Sequence, residues 1–240
     1  MRFLFRTGLV TGVIVAFLAL ASVSWAEYSA RGSCAGNTAP THVARGGSAT
    51  FIDKVMPVYQ IDEKHSIFIE APPERVFESF KRAGGYERPV VGLFGLLAKI
   101  AGEGDAPRFA EEKSMYEELR SGPDLVLEEP SREVVVADIG TEGRRASSAP
   151  DTARGFAAYR LGRGEMKGAV NLRVDPARGG SRLTTETLML YGDHASCRNF
   201  GRYWGAIYPG SSLFRIELLK TIKRRVETGS LTPLAREGGS

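Results

Sequence analysis

The chain has 240 residues, enough for one or two domains. It carries 32 basic and 28 acidic residues, a balance too near neutral to suggest nucleic acid as a partner. Two cysteines, Cys34 and Cys197, allow a single intramolecular pairing in an oxidising compartment; that disulfide and free or intermolecular thiols both remain open.

Arg2 and Arg6 precede an apolar run from Leu9 to Val23, which ends in Ser24-Trp25-Ala26. The small-x-small ending fits cleavage after Ala26, so residues 1–26 are expected to be a signal peptide. The alternative is an uncleaved inner-membrane anchor through residues 9–25, since the run approaches the roughly 20 residues that span a bilayer. Either reading exports the rest of the chain, to the periplasm or beyond. Loss of Arg2 and Arg6 leaves 30 basic against 28 acidic residues.

Residues 27–55 are rich in Gly, Ser, Ala and Thr without a sustained period and read as a flexible linker. A single domain is expected over 56–228, with a disordered tail at 229–240. In "YQIDEKHSIFIEA", His65, Ile67 and Ile69 alternate with Ser66, Phe68 and Glu70, the period of a half-buried strand. "APPERVFESFKRAGG" follows as a helix, with prolines at its start, Val76, Phe77 and Phe80 on one face and Gly84-Gly85 as a stop. A second short helix is expected in "VVGLFGLLAKIAG".

"DLVLEEPSREVVVADIG" predicts two strands around Pro130-Ser131, and the run Val134-Val135-Val136 suits a buried strand. "GRRASSAPDTARG" reads as a loop. Val170, Leu172 and Val174 alternate in "KGAVNLRVDP"; a Gly-Gly turn then leads into "RLTTETLMLYGD", which makes an antiparallel hairpin. Asp193 or Ser196 can cap the long helix that follows. That helix carries an apolar stripe through Phe200, Tyr203, Trp204, Ile207 and Tyr208, then Phe214, Leu218, Ile222 and Val226. Pro209 interrupts it and faces the carbonyl of Gly205, which predicts one bent helix on a curved surface. The element order is α+β, with helices expected on one face of an antiparallel sheet.

Motif chemistry is sparse. There is no G-x-S-x-G elbow and no phosphate-binding glycine loop; Gly162-Arg163-Gly164 is followed by Lys167 where a dinucleotide fingerprint needs glycine. His42, His65 and His194 are not spaced as metal pairs, and no C-x-x-C occurs, so neither metal nor cofactor is expected. Glu186 shares a strand face with Thr184, Leu188 and Leu190, and Asn171 shares one with Arg173. Projected into a cavity, Glu186 can act as acid or base; on an outer face it is half of an exposed cross-strand pair such as Arg173 with Glu186. Arg215, beside the apolar stripe, can reach inward to an acidic group or lie at the stripe's edge. Lys220, Lys223, Arg224 and Arg225 complement the helix dipole, with contact to a membrane surface as the alternative.

"HSIFIEAPPERVFESFKR" together with "TTETLMLYGD" and "FGRYWGAIYPGSSLFRIELLKTIKRR" resembles the START-like, or SRPBCC, superfamily, which includes lipid-transfer domains and polyketide cyclases. The resemblance covers about residues 56–227 and rests on Thr185, Glu186, Thr187, Asp193, Tyr203, Trp204, Pro209, Gly210, Ser211 and Arg215. It implies a helix-grip fold: an antiparallel sheet wrapped around a long kinked C-terminal helix, with a cavity between them. The function expected is binding of a small apolar or amphipathic molecule, lipid included, by Tyr203, Trp204 and Ile207 with polar help from Asn171, Glu186 and Arg215. The alternatives are a cyclase- or isomerase-type enzyme using Glu186, and a membrane-proximal interaction module with an apolar patch at Val90 to Ile100.

Overall fold

The computed structural model describes residues 42–43, 50–82, 115–120, 122–141, 144–145 and 149–229. The second short helix expected near Val90 to Ile100 lies outside them, as do residues 1–41 and residues 230–240 of the expected tail.

The strands are β1 (His42–Val43), β2 (Val58–Tyr59), β3 (Ile61–Ile69), β4 (Leu125–Glu129), β5 (Glu133–Thr141), β6 (Arg144–Arg145), β7 (Glu165–Ala177) and β8 (Gly180–Tyr191). The helices are α1 (Phe51–Val55), α2 (Pro73–Arg82), α3 (Met115–Arg120), α4 (Ala153–Ala158) and α5 (His194–Thr228). The main sheet is antiparallel in the order β3-β8-β7-β5-β4, with β6 paired to β5, while β1 pairs with β2. The fold is α+β, as its element order predicts.

Two hairpins build most of the sheet. In β7–β8, Ala177 faces Gly180 across Arg178-Gly179, and Gly179 adopts the positive φ of 81° that the tight turn requires. Gly180 then passes so close to β3 that a Cβ there would lie 2.2 Å from the Ile69 carbonyl oxygen. In β4–β5, Ser131 takes a positive φ of 62° just after Pro130, and the Arg132 N–H closes the turn on the Glu129 carbonyl at 3.0 Å.

Both faces of the sheet are covered, which corrects the expectation of helices on one face alone. On the first face Val134, Leu172, Val174, Leu183 and Ile69 pack against Val76, Phe77 and Phe80 of α2 and Leu218, Leu219, Ile222 and Val226 of α5. On the second, Val135, Ala137, Ile139, Ala169 and Leu188 pack against Ile52 and Val55 of α1 and Phe156 of α4. Val134 and Val135, consecutive on β5, serve one core each, so both faces of that strand carry apolar packing.

Residues 50–55 of the expected linker instead form a capped, partly buried helical turn. Thr50 caps α1 through a capping box with Asp53, and Ile52 and Val55 are fully buried. α4 likewise replaces part of the expected loop, with Thr152 as its N-cap. The Lys167 ammonium closes the end of α4 on the carbonyls of Phe156, Ala157 and Tyr159, at 3.0, 3.1 and 3.3 Å; burial lowers its pKa.

α5 runs for 35 residues, about 50 Å, and stays helical across Pro209-Gly210. Asp193 caps its start, accepting the Ser196 N–H at 3.0 Å and the Gly164 N–H at 2.6 Å. Those backbone bonds hold its carboxyl down at about 2. Gly229, at φ 71°, ends the helix in the left-handed conformation.

Candidate functional site

Strand pairing sorts every polar candidate to one face or the other. Asn171 stands opposite Glu186, and both lie on the α1 side of the sheet, away from α5. They do not line a space between sheet and C-terminal helix, which corrects their expected role as cavity walls. Asn171 donates from Nδ2 to Glu133 at 2.8 Å and accepts the Glu186 N–H at 2.8 Å through its Oδ1. Glu133, buried, also accepts the N–H groups of Phe51 and Ile52 at 2.9 and 3.4 Å. Glu186 pairs with Lys64 of β3 at 2.9 Å. This network fastens α1 to the sheet, and the cross-strand partner of Glu186 is Lys64 rather than the expected Arg173, which meets Asp175 at 3.0 Å.

The α5 side holds a second polar cluster, centred on Glu63. Its carboxylate is buried and accepts the Ser212 hydroxyl at 2.8 Å and the Ser211 hydroxyl at 3.3 Å, with His65 Nε2 at 2.9 Å and Arg215 Nε at 3.5 Å. Arg215 Nη1 donates to Thr185 Oγ1 at 3.1 Å. Arg215 thus reaches inward to an acidic group, but that group is Glu63. Both Gly210 and Ser211 are buried, so small residues bring the helix close to β3, where the buried Glu63 carboxylate accepts the hydroxyls of Ser211 and Ser212.

Ser212, Glu63 and His65 have the residue types of a hydrolase triad in the wrong order. The carboxylate sits between hydroxyl and imidazole, so the imidazole is not placed to take the serine proton. The cluster reads as a polar pin between α5 and β3. Glu63 escapes motif reasoning, although it is in phase with His65, Ile67 and Ile69 on the strand pattern, and that parity is the signal that places it inward.

Beside this pin lies a cavity of about 400 Å³, within the size range of small-molecule sites. Its wall includes Val136, Asp138, Met166, Gly168, Val170, Thr187 and Met189. Strand register puts Val136, Val170, Thr187 and Glu63 in one row across the sheet and Asp138, Gly168, Met189 and Ile61 in the next, all on the α5 face. Gly168 leaves a gap between Asp138 and Met189. Val136 and Val170 are half-buried, unlike Val134 and Val174 further along the same strands.

The first half of α5 borders this region. Met189, Tyr191 and Cys197 form a small core with Met166, Phe200 and Trp204 against it, and Phe200 stacks on Trp204 with centroids 5.7 Å apart. Burial pushes the Tyr191 phenol well above its ordinary pKa. Trp204 accordingly shares a cluster with two methionines of the cavity wall. Tyr203 and Ile207 belong to α5, but their side chains lie outside those described. Cys197 is buried and disulfide-bonded; Cys34 is outside the described residues.

Among the described residues no group of three His, Cys, Asp or Glu side chains can hold a metal ion, and no helix is long and apolar enough to cross a membrane. The four basic residues near the end of α5 include Lys220 paired with Glu217 at 2.8 Å and Lys223 paired with Glu227 at 3.3 Å. No family model, no curated protein and no solved structure matches this chain.

Proposed function

We propose that this chain is an exported protein that binds a small apolar or amphipathic molecule in the cavity beside α5, with no catalysis required. One observation carries the reading: half-buried valines and two methionines line about 400 Å³ on the sheet face that α5 covers elsewhere. Apolar wall left partly open to solvent at the centre of a sheet costs free energy, which a fitting apolar ligand recovers. The resemblance to START-like proteins supports the same reading, since their cavities lie between sheet and last helix, and the Arg2-to-Ala26 segment supports export. The enzyme alternative built on Glu186 has no geometric support, because that carboxylate is on the other face and paired with Lys64.

The test is native mass spectrometry of the protein purified from the compartment to which it is exported, followed by organic extraction. A defined apolar molecule is expected on the wild type and not on Gly168→Leu, whose side chain fills the gap between Asp138 and Met189. Protein that carries nothing, and takes up no alcohol or fatty acid on incubation, overturns the proposal.

A further inference from the structure

Threonine is an unexpected choice at position 187. Thr187 is 5% exposed, and its hydroxyl oxygen is buried without a hydrogen-bond partner. The other hydroxyls on this face of β8 are satisfied: Thr185 donates to the Asn171 carbonyl at 2.9 Å, and Ser181 donates to the Ala71 carbonyl at 2.6 Å. Valine would fill the same volume without an unmatched polar atom. What distinguishes Thr187 is its place on the cavity wall, in the row with Val136 and Val170.

We infer that the cavity takes an uncharged amphipathic ligand whose hydroxyl or carbonyl group meets the Thr187 hydroxyl, its apolar body lying on Val136, Val170, Met166 and Met189. This rests on the cavity-binding reading and names the class of molecule bound. A rotation of Thr187 about χ1 exchanges its oxygen with its methyl group between staggered wells, which brings the hydroxyl to an incoming ligand without moving the backbone. The rest of the described wall argues against an anionic head group. It holds no Lys, Arg or His, and its one charged side chain is the Asp138 carboxylate. A carboxylate or phosphate entering there would lose its hydration and gain no cation.

The experiment titrates the mature chain with ten-carbon probes, 1-decanol and decanoate, by isothermal calorimetry, for wild type, Thr187→Val and Thr187→Ser. Decanol is expected to bind wild type about tenfold more tightly than decanoate. Thr187→Val should weaken decanol roughly five- to tenfold, the worth of one hydrogen bond, and Thr187→Ser should stay within about twofold of wild type. Thr187→Val should also melt no lower than wild type, which separates lost recognition from lost folding. Decanoate binding as tightly as decanol, or decanol binding unaltered in Thr187→Val, overturns this inference and leaves the carrier reading standing. Failure of wild type to bind either probe, with no apolar molecule extracted from it, removes both.

Discussion

Glu133 accepts the main-chain N–H of Phe51 at 2.9 Å, across 82 residues of chain. Through that bond, the 3.4 Å bond from Ile52 and the 2.8 Å bond from Asn171, a buried carboxylate ties α1 to the sheet. Glu133→Ala strands three donors at once and is expected to cost about 3 kcal/mol, with Glu133→Gln costing about half as much because one acceptor remains. Urea unfolding checks both. In the same assay a chain beginning at residue 50 should match one beginning at residue 27, while one beginning at residue 57 should lose most of its stability with Ile52, Val55 and Met56 gone from the core.

The Glu63 pin predicts strong coupling between strand and helix. Removing one partner of a buried charge pair leaves the other uncompensated, so Glu63→Leu and Arg215→Met should each cost about 3 kcal/mol. The double substitution should cost clearly less than the sum, and a double-mutant cycle in urea measures the difference. Additive losses would show that the two side chains act independently.

Acid should loosen the start of α5. The Asp193 carboxyl is lowered from 3.8 to about 2 by the N–H groups it caps. A depressed carboxyl contributes its stability above its ordinary pKa and loses it as pH falls through the folded value. The melting temperature of wild type should therefore exceed that of Asp193→Ala at pH 7, by about 1 kcal/mol of cap stability, and the gap should close between roughly pH 4 and pH 2. A gap independent of pH would mean that the cap does not depend on charge.

Gly168 separates packing from occupancy. An added Cβ there meets nothing nearer than Met189 Cε at 3.5 Å, ordinary contact, so Gly168→Ala should fold with unchanged or slightly higher stability. Gly168→Leu should fold too, while losing bound molecules by native mass spectrometry. Loss of ligand in Gly168→Ala as well would place the ligand hard against this strand.

The chain has two cysteines, and Cys197 is disulfide-bonded. Peptide mapping without reductant should yield one linked pair joining Cys34 and Cys197. A disulfide-linked dimer on a non-reducing gel would point instead to pairing between chains.

Much of the scaffold is legible without the structure because each element announces itself locally. Alternation marks β3 and the β7–β8 hairpin, prolines mark the start of α2, and Asp193 marks the start of α5. Short elements carry too few residues for a period, so α1 was hidden in a composition that reads as linker even though Thr50 and Asp53 supply a capping box. α4, six residues long, was hidden in the same way.

The sequence by itself determined which residues travel together: Asn171 with Arg173, Glu186 with Leu188, Glu63 with His65 and Ile67, each set forced onto one face by the period of two. Only the tertiary structure decided which face meets α5. Alternation is symmetric between the two sides of a strand, and here both sides are covered, so hydrophobic pattern alone does not single out the side under the last helix. Asn171 and Glu186 went to the α1 side and Glu63 to the α5 side for that reason. The cavity belongs to the same class of fact. Val136, Val170, Gly168 and Thr187 come from three strands and become neighbours only once the strands lie side by side in register.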